Sequence, residues 1–131
     1  MDINWVAVTA AALSTFLLGG LWYSPLLFHR AWAGTNGLTN EDMKGGEARI
    51  FGIAFVLALV MAANLAAFLS GPDTTTTWGA TAGALTGVGW VMPAIATLAL
   101  FERRSFTWVA INGGYYIVAF IIMGTILGAW R

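Results

Sequence analysis

The chain contains no cysteine, only one histidine and only three prolines, and it has no Asp, Glu, Lys or Arg at all within residues 3–29, 50–72, 74–101 and 105–130. Each absence closes a class of function. Without cysteine there are no disulfides, thiolate metal sites or thiol nucleophiles. His29 has no carboxylate or cysteine beside it, so it offers neither a metal site nor a catalytic dyad. Ser14, Ser24, Ser70 and Ser105 lack a general base within the apolar stretches, and no Gly-rich phosphate loop or EF-hand pattern is present. We therefore expect a protein that is not an enzyme and holds no cofactor and no metal. Six basic and six acidic residues cancel to a formal net charge of zero, which leaves no basic field for nucleic acid.

What remains is apolar. Hydrophobic residues make up 59% of the chain, charged residues 9%, and the mean hydropathy is +0.77, against roughly 25% charged residues in a soluble domain. The four uncharged stretches are 23 to 28 residues long. At about 1.5 Å rise per residue, each is long enough as a helix to cross a hydrocarbon core of ~30 Å. The predicted fold class is all-α: a polytopic integral membrane protein with four transmembrane helices, plus a short interfacial helix or helices in the first connection. A single domain spans 1–131, with helices at about 4–23, 47–69, 78–101 and 105–130. The first span lacks the positive n-region of a signal peptide and is longer than an h-region of ~7–15 residues, so it reads as a retained helix.

Charge placement predicts orientation. Arg30, Lys44 and Arg49 fall in the first connection and Arg103 and Arg104 in the third, whereas Arg131 alone marks the other side. The positive-inside rule then puts both basic connections in the cytoplasm and both termini outside it. Six of seven tryptophans, at positions 5, 22, 32, 78, 108 and 130, lie at predicted span ends, the depth their amphipathic rings favour. Trp90 is mid-span and is expected to face protein or fill a groove between helices.

The connections carry breaking signals. Ser24-Pro25 ends or kinks helix 1, and residues 26–32 read as an interfacial helix. After a turn at Gly34 to Gly37, Thr39 is placed to cap a second short helix, with Asp42 at its third position and Leu38 stapled to Met43. Gly45-Gly46 leads to helix 2, which stops at Ser70-Gly71-Pro72-Asp73. Glu102-Arg103-Arg104 is so short that helices 3 and 4 must be antiparallel neighbours.

Small residues recur every fourth position in all four helices: Ala7, Ala11, Thr15 and Gly19; Ala54, Ala58, Ala62 and Ala66; Gly79, Gly83 and Gly87; Gly124 and Gly128. Such stripes let backbones approach closely, either within one bundle or across a homo-oligomer seam. Gly87-Val88-Gly89-Trp90-Val91-Met92-Pro93 is expected to kink helix 3. Polar groups at membrane depth are few: Asn64 near the middle of helix 2, and Asn112 in helix 4 close to Tyr116. If Asn64, Trp90, Asn112 and Tyr116 converged, they would offer amides, a hydroxyl and a π face to a small solute, and the bend at Pro93 is a further candidate for lining a pathway. Helices 1 and 3 also share Ala-Leu-Ser/Thr and Trp-x-x-Pro fragments, in registers that differ by four residues.

Asp2-x-Asn4-Trp5, Gly20-x-Trp22-Tyr23-Ser24-Pro25-x-x-Phe28, Trp32 and Gly37-Leu38-Thr39-x-Glu41-Asp42 together resemble the bacterial membrane proteins grouped as domain of unknown function 1761. The resemblance implies a small four-helix protein of the bacterial inner membrane and supplies no substrate or reaction. Two functional expectations follow from the residues. The first is a homo-oligomeric bundle in contact with membrane lipid, acting as a scaffold, partner or passive pathway. The second is a small transporter or channel for a neutral or hydrophobic solute.

Overall fold

The computed structural model describes residues 2–36 and 46–131. The described chain is helical: α1 (Trp5–Trp22), α2 (His29–Asn36), α3 (Glu47–Phe68), α4 (Thr76–Thr86), a π turn (Gly87–Val91), α5 (Met92–Glu102) and α6 (Phe106–Ala129). Four helices are long and apolar enough to cross a bilayer: α1, α3, the continuous Thr76–Glu102 rod and α6. The protein is an integral membrane protein, and α2 is a short additional helix in the first connection. The second short helix expected around Thr39 to Met43, and the charge of Lys44, lie outside the described residues.

Local chemistry sets the helix ends. Asn4 caps α1 by accepting from the Ala7 amide at 3.1 Å, and the helix runs out at Tyr23, just before Ser24-Pro25. Gly46 enters α3 with φ +75°, a left-handed conformation that glycine adopts without strain. Thr75 caps the third span by accepting from the Trp78 amide at 3.0 Å, so that helix begins two residues before the expected Trp78. Ser105 does the same for α6 through the Trp108 amide at 3.1 Å. Between the last two spans the chain reverses on Arg103 alone, with φ +58°, while the Arg104 amide donates back to the Ala99 carbonyl at 2.8 Å.

Helix α6 is the hub, packing against α1, α2, α3 and the α4–α5 rod. Its seam with α4 is made of backbone. A Cβ added at Gly79 would land on the carbonyl oxygen of Gly124, and one at Gly124 on that of Gly79; Gly83 meets the Phe120 carbonyl and Gly87 the Ile117 Cα in the same way. Gly128 completes the line: a Cβ added there would stand 2.6 Å from the Thr75 carbonyl oxygen. Contact this close yields dispersion and weak Cα–H···O interactions where lipid removes any solvent-driven attraction between helices. On the other side of α6, Ala7, Val8, Ala11 and Ala12 of α1 are buried with Ala58, Ala62 and Ala66 of α3 and with Phe120, Met123 and Leu127.

At the centre of the third span the chain forms a π turn, with the Met92 amide donating to the Gly87 carbonyl. Proline at the second position of α5 supplies no amide, and the wider turn accommodates it without breaking the rod. The Trp-x-x-Pro fragments of helices 1 and 3 are not equivalent. Pro25 follows the end of α1 and Trp22 donates to the Ile111 carbonyl, whereas Pro93 lies inside a continuous rod and Trp90 projects outward.

Candidate functional site

A cleft of about 850 Å³ lies between α1, α3 and α6. Its existence follows from residue size: Gly19 and Gly20 on α1 and Ala54 and Ala58 on α3 leave space that larger side chains would fill. A Cβ at Gly20 would meet nothing within 4 Å. Towards the centre of the span the walls are Ala58, Met61, Ala119 and Met123, and towards the α2 end they are Trp32, Ile50 and an aromatic cluster. Among the described residues, no Asp, Glu, Lys, Arg or His lines the cleft.

The aromatic end is fixed by hydrogen bonds across helices. Tyr23 donates to Asn112 Oδ1 at 2.8 Å, and Asn112 Nδ2 donates to the Trp108 carbonyl at 3.0 Å. Tyr115 donates to the Thr15 carbonyl at 2.8 Å, which the two lone pairs of a backbone carbonyl allow within a helix. Ring centroids of Tyr23 and Tyr115 are 5.5 Å apart, those of Tyr115 and Tyr116 5.0 Å, and those of Tyr23 and Trp32 5.8 Å. Trp108 Nε1 donates to Asn36 Oδ1 at 3.0 Å, which pins the last residue of α2 over this end of the bundle.

Two donors are left for a guest. Among the described residues the Tyr116 hydroxyl has no hydrogen-bond partner. Asn112 has a second amide proton beyond the one used on Trp108. Both belong to residues lining the cleft, so a molecule held there would meet aromatic faces, methionine and alanine walls, and two donors suited to a carbonyl, ether or hydroxyl oxygen.

Of the residues singled out in the sequence, Asn112 and Tyr116 line this cleft, and Asn64, Trp90 and Pro93 do not. Asn64 is four residues from the end of α3 rather than near its middle; it is exposed and donates to the Val60 carbonyl of its own helix at 2.9 Å. Trp90 is 77% exposed, so it fills no groove within the chain, because the buried face of this rod is occupied by the glycines facing α6. Pro93 lies on the same outer side. Asn112 and Tyr116 thus come together without Asn64 and Trp90.

Sequence reasoning missed Tyr23, Tyr115, Thr15 and Trp32 as site residues. Tyr23 and Trp32 stood within the resemblance motif, and Trp32 reads as an interfacial anchor, since an aromatic ring at a span end looks the same in sequence whether it faces headgroups or a cleft. Tyr115 was hidden by its neighbour: adjacent helical residues point about 100° apart, and nothing in the sequence says that both rings reach one space.

The family model described as Protein of unknown function (DUF1761) matches residues 6–128, nearly the whole chain. No curated protein and no solved structure matches. The chain belongs to the DUF1761 family.

Proposed function

We propose that this DUF1761 member is a non-enzymatic, homo-oligomeric bundle of the bacterial inner membrane, and that its α1–α3–α6 cleft holds a small uncharged solute as the binding step of a pathway across the bilayer. One observation carries the reading. Among the described residues the cleft has no charged lining, yet Tyr23, Tyr115 and Asn112 are positioned by hydrogen bonds and the Tyr116 hydroxyl is unused. A desolvated cation or anion would find no counter-charge there, whereas a neutral molecule with one oxygen acceptor gains a hydrogen bond without that penalty. This favours a pathway over a purely scaffolding role, which would not need aligned donors beside empty space. Charge placement supports a cytoplasmic α2 end, where Arg30, Arg49, Arg103 and Arg104 lie, and termini on the opposite side.

Gly20→Phe tests the reading, because its side chain enters the cleft where no atom lies within 4 Å of the new Cβ. Proteoliposomes are assayed by stopped-flow light scattering with small neutral alcohols, amides and ketones. Wild type is expected to accelerate entry of at least one class, and Gly20→Phe to return it to the rate of bare lipid. Equal rates for wild-type and protein-free vesicles across the panel would sink the pathway.

A further inference from the structure

We infer that the outer face of the third span at Trp90 is a self-association surface, on which a second copy of this chain packs about a two-fold axis along the membrane normal. This rests on the homo-oligomeric reading above and assigns it a location.

Trp90 stands 14 residues after Thr76 and 12 before Glu102 in a continuous rod, hence about 18–21 Å from either end. It is therefore at the centre of the bilayer. Its side chain is 77% exposed, and its indole N–H has no acceptor among the described residues. Tryptophan is favoured at the headgroups, where water or lipid oxygen can take that proton; acyl chains offer nothing to it.

The same turn of the rod is also short of a donor. Pro93 has no N–H, so at least one carbonyl in the turn before it goes without a helical donor. Val88, Gly89, Trp90 and Pro93 are all exposed, and around Gly89 the space is open, with nothing within 4 Å of an added Cβ. The rod also has the least cover of the four spans: 11% of its most apolar stretch is buried, against 33% for α6.

An indole reaching outward cannot bend back onto a carbonyl that runs along its own helix axis. A two-fold mate solves both shortages at once: each Trp90 fills the notch beside the other copy's Gly89 and donates to the carbonyl that Pro93 leaves free. The exposed amide of Asn64 makes no equal demand. It sits one turn from the end of α3, near the headgroups, where its second amide proton can meet water or lipid oxygen.

The absence of cysteine makes the test direct. Single cysteines are placed in turn at Ala94 and Thr97, on the outer face of α5, and at Ile53 and Asn64, on the outer face of α3, and the full-length chain is oxidised in liposomes. Disulfide-linked dimers are expected from the α5 positions and not from the α3 positions. Trp90→Leu, which keeps an apolar side chain but loses the donor, should weaken the dimer about tenfold, as expected for losing two interhelical hydrogen bonds. Because Trp90 is exposed in the single chain, the variant should keep the melting temperature of the monomer. Single-molecule counting that finds only monomers of wild type overturns the homo-oligomeric reading itself. An oligomer that cross-links through Ile53 or Asn64, or that is indifferent to Trp90→Leu, keeps that reading and overturns this surface.

Discussion

Tyr23 and Asn112, on helices that enter the chain almost ninety residues apart, share a 2.8 Å hydrogen bond in which the phenol donates to the amide oxygen. Asn112 in turn donates to the Trp108 carbonyl, so one side chain ties α1 to the first turns of α6. Tyr23→Phe removes the donor and leaves Oδ1 unpaired beside an apolar cleft. The expected loss is about 0.6–2 kcal/mol, the range for hydrogen bonds between membrane helices. The double variant Tyr23→Phe/Asn112→Leu should lose less than the sum of the single losses, because no orphan acceptor remains. Thermal unfolding in detergent measures this; strict additivity would show that the pair is not coupled.

The seam between α4 and α6 predicts a contrast between two glycines. At Gly124 an added methyl would strike the carbonyl of Gly79, backbone against backbone, where no rotamer change can relieve it. Gly124→Ala should cost about 1–3 kcal/mol or more, as overpacking does. At Gly52 nothing lies within 4 Å, so Gly52→Ala should be neutral or stabilise α3 by up to about 1 kcal/mol through helix propensity. Melting temperatures of the two variants decide it, and similar values for both would mean that the seam is not this tight.

Helix α2 depends on few contacts. It has no buried residue, and Asn36 at its last position accepts from the Trp108 indole. Arg104 lies 5.5 Å above the ring of the same tryptophan. Asn36→Ala should raise hydrogen exchange within α2 while the four spans stay protected, since only the anchor of a surface helix is lost. Unchanged exchange would assign the docking of α2 to its Trp32 contact with Tyr23 instead.

The parts legible in the sequence were those governed by local rules. Four uncharged stretches set the spans, Ser24-Pro25 and Ser70-Gly71-Pro72 set their ends, and Glu102-Arg103-Arg104 forced α5 and α6 together. The site was less legible because helix rotation is a tertiary property. Gly79, Gly83 and Gly87 turn the third span so that its bulk points away from α6, which carries Trp90 outward, and no local pattern states which stripe wins. Asn64 and Asn112 show the same limit. Two amides in apolar helices look alike in sequence, yet one bonds within its own helix and the other bridges two helices at the mouth of a cleft.

Orientation is checked with the same cysteine-free background. Arg103 and Arg104 lie at the α2 end of the bundle with Arg30 and Arg49, whereas at the other end Arg131 donates to the carbonyls of Gly71 at 2.8 Å and Thr74 at 3.2 Å. Acidic residues weigh little in the positive-inside rule, so Glu41, Asp42 and Glu47 in the first connection do not offset this imbalance. Asp73→Cys should react with a membrane-impermeant thiol reagent on intact cells, and Arg103→Cys only after the membrane is opened. The cleft's aromatic end would then face the cytoplasm, and a solute would meet Trp32 and Tyr23 first from that side. Labelling of Arg103→Cys on intact cells would reverse the topology and with it the side from which the cleft is entered.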